Sequence, residues 1–171
     1  LQTARNAPTQ VASGLQATIG GGYQNAASGG ISTVGGGQNN TASGNQATIG
    51  GGYSNAASGI VSTVGGGHSS IASGNYATVG GGYGNIAGGS YATVGGGQNN
   101  TASGANSAIL GGITNNTNAL ANAMIVGSNI TASLANALHC NRLVITQIPV
   151  ASAGLPSGAI WSDGGTLKVV P

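Results

Sequence analysis

Few side chains in this chain can do acid–base, nucleophilic or metal chemistry. Across 171 residues they are Asp163, His68, His139 and Cys140, with Arg5, Arg142 and Lys168 as the cations. Catalysis by paired carboxylates needs two acids in one site, and Asp163 is the sole acid. Three copies of Asp163 could meet on a threefold axis, but Asp163-Gly164-Gly165 reads as a turn, and that role is preferred. His139-Cys140 has metal-ligand chemistry, yet neighbours on a strand point to opposite faces, so one site rarely uses both. His68 stands in a column otherwise filled by Tyr and Gln and is expected at the surface. Cys140, the single cysteine, is expected as a small buried hydrophobe, with an interchain bridge as the alternative. The expectation is no catalytic residue, no metal and no cofactor.

The glycine runs invite two further chemistries and fit neither. A phosphate cradle needs a following helix N-terminus and a nearby lysine. A calcium-binding roll needs an aspartate in every repeat. The formal charge of +2 rests on too few groups to neutralise a nucleic-acid backbone. No apolar run reaches the ~18 residues that cross a bilayer. Nucleic acid and membrane insertion are therefore not expected. Asn39-Asn40-Thr41, Asn99-Asn100-Thr101, Asn115-Asn116-Thr117 and Asn129-Ile130-Thr131 match the glycosylation sequon, a pattern that arises cheaply in an Asn/Thr-rich repeat.

What must position these residues is a repeat. Gly-Gly-Gly begins at Gly20, Gly35, Gly50, Gly65, Gly80 and Gly95, a constant step of 15 residues. A short fixed period means one small unit stacked on copies of itself. Aligned on that period, Ile19, Val34, Ile49, Val64, Val79, Val94 and Ile109 form an apolar core column. Two residues earlier, Ala17, Ser32, Ala47, Ser62, Ala77, Ala92 and Ser107 share the inward face by strand alternation. Thr18, Thr33, Thr48, Thr63, Thr78 and Thr93 stand between them and point outward.

A second inward column, Ala12, Ala27, Ala42, Ala57, Ala72, Ala87 and Ala102, falls half a coil away. Each coil thus has two short strands, each followed by a glycine turn. Glycine fits such corners through positive φ or close backbone approach. Asn25, Asn40, Asn55, Asn85, Asn100 and Asn115, with Ser70 substituting, sit beside the triple glycine, where stacked amides can bond from coil to coil. Seven coils at ~4.8 Å make a rod of roughly 35 Å. Residues 16–45 and 46–75 match at about three quarters of positions, so the duplicated unit is two coils long.

The stretch Ala-Thr-Ile-Gly-Gly-Gly-Tyr-Gln-Asn-Ala-Ala-Ser-Gly, from Ala17 to Gly29, resembles the head repeats of trimeric autotransporter adhesins of the YadA type. The resemblance spans roughly Val11 to Gly112. It implies a left-handed parallel β-roll with three chains side by side, although that family's repeat is usually a residue shorter. The run Ala-Gly-Leu-Pro-Ser-Gly-Ala-Ile-Trp-Ser-Asp-Gly-Gly-Thr-Leu-Lys-Val-Val instead resembles the C-terminal ending of tail-fibre and other virion surface proteins of phages and large DNA viruses. Ala159 to Ser162 and Thr166 to Val170 read as two strands of a hairpin. Such a hairpin would cap the open end of the roll, and a cap-like ending is expected of a complete C-terminus.

The expected fold is all-β: a parallel β-roll or β-solenoid with 15-residue coils, homotrimeric, closed by a C-terminal β-hairpin. Residues 1–11 form an arm, 12–137 the roll with degenerate last coils, and 138–171 a strand and hairpin cap. Met124 is expected to continue the apolar column, and His139 to Val150 to form a strand broken at Pro149. The expected function is non-enzymatic: a virion fibre, spike or surface decoration that meets other virion components and a host glycan or receptor. Tyr23, Tyr53, Tyr83, Tyr76 and Tyr91 are the candidate contact surface, since tyrosine joins an apolar ring to a hydroxyl; the plainer alternative is that they cover the roll's sides or a trimer seam. A bacterial adhesin head is the alternative function and outer surface the alternative location. An ice-binding solenoid is the minor one, weakened because Gln16, Ile31, Gln46, Val61, Tyr76 and Tyr91 replace the second threonine column such faces use.

Overall fold

The computed structural model describes residues 10–142, Ser157, 160–163 and 166–169. The chain divides into two compact units, Leu1–Asn141 and Arg142–Pro171. Among the described residues there is no helix. The first unit is a parallel β-solenoid of about nine turns.

Each regular coil contributes two strands of two residues, one to each of two parallel sheets. Thr33–Val34 pairs with Thr48–Ile49, and Thr41–Ala42 with Ala56–Ala57, in the register set by the 15-residue step. One sheet has 9 strands and runs from Thr18–Ile19 to Leu138–Cys140; the other has 7 and runs from Val11–Ala12 to Thr101–Ala102. At ~4.8 Å per coil the stack is about 40 Å long. Backbone bonds run along the axis, as in Thr48 N–H to Ser62 O at 2.9 Å and Gly50 N–H to Val64 O at 3.0 Å. Charge-free segments can therefore satisfy their amides without polar side chains.

The core lies between the sheets and is narrow. Val34, Ile49, Val64, Val79, Val94 and Ile109 from one sheet face Ala42, Ala57, Ala72, Ala87 and Ala102 from the other, all fully buried. Ser32 and Ser107 of the small column donate to the carbonyls of Gly29 and Gly104 at 2.7 Å. The asparagine column is also interior, at 0–1 % exposure. Asn40 shows the pattern. Its Nδ2 donates to Gly36 O and Gly52 O, and its Oδ1 accepts the Asn55 N–H.

The two corners solve different problems. Beside the asparagines the third glycine takes a positive φ, as Gly52 does at 93°. At the other corner Gly59 has no such φ; a Cβ there would collide with the Gly74 carbonyl of the next coil. The left-handed residue at that corner comes two positions later and is not glycine: Gln46 at φ 59°, Val61 at 55°, Tyr76 at 59°. Its N–H donates back to the preceding coil, Val61 to Asn45 O at 2.8 Å. Left-handed φ is unusual for β-branched residues, so the sequence hid these corners.

Met124 does not continue the core. Ile125 pairs with Ile109 and is fully buried, while Met124 pairs with Ala108 and is exposed. The coil between Ile109 and Ile125 is one residue longer. The extra residue sits in the corner Thr117–Leu120, where Asn118 and Ala119 both take left-handed φ. The hydroxyl of buried Thr117 accepts the Ser103 and Gly104 N–H groups there. The parallel sheet then continues through Leu138–Cys140, past the limit of 137 that the glycine pattern suggests. Residues 143–150 lie outside the described residues, as does most of the N-terminal arm. In the second unit Ile160–Asp163 and Thr166–Val169 pair antiparallel, with Asp163 opposite Thr166; Gly164 and Gly165 between them are outside the description.

Candidate functional site

The five candidate tyrosines do not form one surface. Tyr23, Tyr53 and Tyr83 occupy the corner after the triple glycine, in a column Tyr23, Gln38, Tyr53, His68, Tyr83, Gln98, Ile113 joined by parallel bridges from coil to coil. Tyr76 and Tyr91 are the left-handed residues of the opposite corner. Half a coil separates the two columns, so they lie along opposite edges of the two-sheet stack.

Within each column the coil spacing stacks the rings. Tyr53 and His68 have centroids 4.9 Å apart at 24°, and His68 and Tyr83 5.0 Å apart at 18°. Tyr76 and Tyr91 are 4.8 Å apart and nearly parallel at 2°. These separations match the interstrand distance, so the backbone repeat imposes them. Stacking occupies both faces of His68 and one face each of Tyr53, Tyr83, Tyr76 and Tyr91. A sugar therefore cannot stack on His68 without splitting the ladder, whereas each of the five tyrosines keeps at least one face that no other ring covers.

The opposite corner mixes exposed apolar and polar side chains. Leu15, Ile31, Ile60, Val61, Tyr76 and Tyr91 are exposed there, interleaved with Asn45, Gln46 and Asn75. Beside the other corner runs a strip without side chains. The middle glycines Gly21, Gly51 and Gly96 have nothing within 4 Å of where a Cβ would stand, and Gly36, Gly66 and Gly81 have only a glycine carbonyl at 3.9–4.0 Å.

The threonine column forms an unbroken row in register from Thr18 to Thr93 on the outer face of the larger sheet. The residues flanking it at the second position, Gln16 to Tyr91, belong to the corner and not to that face. Of the sequons, Asn115 is buried in the asparagine column and Thr117 is buried beneath its corner, whereas Asn99 and Asn129 are exposed. His139 takes the core register opposite Ile125 and bonds Leu134 O through Nε2 at 2.9 Å; Cys140 is a free thiol, half-buried. Among the described residues no three His, Cys, Asp or Glu groups come together, and no helix is long and apolar enough to cross a membrane.

The asparagine ladder, the left-handed corners and the partly apolar edge were the features that sequence reasoning missed or saw in part. Buried asparagine runs against its usual exposure, and only its strict spacing signalled the ladder. No known protein family matches this chain, and no curated protein matches it either.

Proposed function

We propose that this chain is a non-enzymatic structural and binding protein that works as a laterally associated, homotrimeric rod on a virion surface. The observation that carries the reading is the middle glycine of the triplet. Gly21, Gly36, Gly51, Gly66, Gly81, Gly96 and Gly111 hold one column through seven coils. Their φ values are not left-handed, and a Cβ would meet little or nothing inside the chain. The outward columns at the two corners have diverged between copies, Tyr to Gln to His at one and Gln to Ile to Val to Tyr at the other, whereas the threonine row of the sheet face has not. A glycine the coil itself does not require is explained by something outside that approaches closely.

The corner with the exposed apolar side chains is its natural counterpart. A cyclic trimer uses a heterologous interface, in which one patch meets a different patch on the next copy. A ridge of Ile31, Ile60, Val61, Tyr76 and Tyr91 against a strip of bare backbone has that form. The thin Ala/Val core supports the same reading, since it gives each coil little apolar burial of its own. The Tyr53–His68–Tyr83 column would stay outside and offer its hydroxyls to a glycan or receptor.

The location on a virion rests on the likeness of the C-terminal run to fibre endings. A bacterial adhesin head is the alternative, and it shares the trimer. Native mass spectrometry tests the assembly. A species near three times 16.1 kDa is expected, and a clean monomer at micromolar concentration would overturn it. Glycan arrays and host-cell binding then test the contact surface.

A further inference from the structure

We propose that the coil at Ser70 binds one buried water molecule, which takes the place of an asparagine amide in the interior column. The column is continuous on both sides of this point. Asn55 N–H bonds Asn40 Oδ1 at 3.0 Å, Ser70 N–H bonds Asn55 Oδ1 at 2.9 Å, and Asn100 N–H bonds Asn85 Oδ1 at 3.0 Å. Asn85 N–H should bond the side chain at 70, and serine is too short to reach it; no acceptor for it occurs among the described residues.

Two carbonyls are affected as well. Each column asparagine donates Nδ2 to the glycine four residues before it and the glycine twelve residues after it, as Asn85 does to Gly81 O and Gly97 O at 2.8 and 2.9 Å. At position 70 the corresponding acceptors are Gly66 O and Gly82 O. No side chain among the described residues reaches either, so Gly66 O has no protein donor there, and Gly82 O keeps only the His68 N–H at 2.9 Å and lacks its second donor. Ser70 is fully buried, and its Oγ has no partner. Ser62 is also buried with an unpaired Oγ, but its column mates Ser32 and Ser107 bond a corner carbonyl at 2.7 Å, and rotation about χ1 offers Ser62 the same bond.

The four groups around Ser70 match water in number and kind. Water donates to Gly66 O and Gly82 O, and accepts from Asn85 N–H and the Ser70 hydroxyl. Serine plus water thus reproduces the one acceptor and two donors of the asparagine amide. Buried waters typically make about three such bonds to otherwise unpaired groups. A cation fits worse, because the Asn85 N–H points its positive end into the same place.

The test is a high-resolution crystal structure of the native chain and of Ser70→Asn, with thermal unfolding of both. The native crystal should hold one ordered water within hydrogen-bond range of Gly66 O, Gly82 O, Asn85 N and Ser70 Oγ. In Ser70→Asn the side-chain amide should replace it, with melting at or above the native temperature. No ordered density there in the native chain, or a Ser70→Asn variant that melts several degrees lower, would overturn the proposal.

Discussion

The side-chain oxygen of Asn40 accepts the backbone N–H of Asn55 at 3.0 Å, one coil further along the axis and out of reach of water. The same amide ties Gly36 O and Gly52 O together. One side chain therefore closes the corner of its own coil and clamps it to the next. Asn40→Ala leaves the buried Asn55 N–H without a partner, worth about 1–3 kcal/mol, and takes one donor each from the part-buried Gly36 O and Gly52 O, of which Gly52 O keeps the Gln38 N–H. A loss of roughly 2–4 kcal/mol is expected in denaturant unfolding. Asn45→Ala, at an exposed corner, should stay within about 0.5 kcal/mol of native, and equal losses for the two would remove the ladder from the account.

The three glycine environments predict three different answers to the same substitution. Gly59→Ala drives a methyl into the Gly74 carbonyl and should destabilise by about 3 kcal/mol or more. Gly52→Ala is strained at φ 93° whatever the space and should also lose stability. Gly51→Ala has nothing within 4 Å to meet and should leave the single chain's unfolding unchanged within about 0.5 kcal/mol. If the chain trimerises through the glycine strip as proposed, Gly51→Gln should separate fold from assembly: circular dichroism unchanged, native mass reduced. An intact trimer carrying that side chain in the strip would place the seam elsewhere.

Much of this was legible because a 15-residue period leaves little freedom: Val34 and Ala42 had to face inward once the coil was two short strands. What escaped was set by contacts that the period does not encode. Met124 stood where a strict count put the core, but one extra residue at Thr117–Leu120 moved Ile125 into it. Val61 gave no hint of a left-handed corner, because propensity argues against one. The spacing already put Tyr23, Tyr53 and Tyr83 in one outward column and Tyr76 and Tyr91 in another; what it did not show is that the two columns run along opposite corners of the stack.

The narrow core predicts asymmetry between the faces of one strand. Ile49 is fully buried and Thr48, its neighbour, is exposed. Ile49→Ala should cost about 2–4 kcal/mol, since stacked coils cannot collapse sideways to refill the space. Thr48→Ala should be nearly neutral. If both variants unfold at the native midpoint, Ile49 is not packed as described.

Stacking at Tyr76 and Tyr91 should show as coupling. In a double-mutant cycle of Tyr76→Ala and Tyr91→Ala, the double variant should lose about 0.5–1.5 kcal/mol less than the sum of the single losses, because each single change already removes the stack. Additive losses would mean that the two rings stand apart in solution.

Val61 separates what the coil needs from what an assembly would need. It holds φ 55° with a β-branched, partly exposed side chain, and left-handed backbone costs such residues roughly 1–2 kcal/mol. Asparagine tolerates that conformation. Val61→Asn should therefore raise the stability of the isolated chain by up to about 1 kcal/mol, read at a concentration where the native chain is monomeric. If Val61's corner is the seam, the same change should weaken association and lower the trimer fraction at a given concentration. Opposite signs in the two measurements would mark Val61 as a contact residue held in place against local preference. A gain in chain stability with association untouched would free the corner from that role and move the search for the seam to the threonine row.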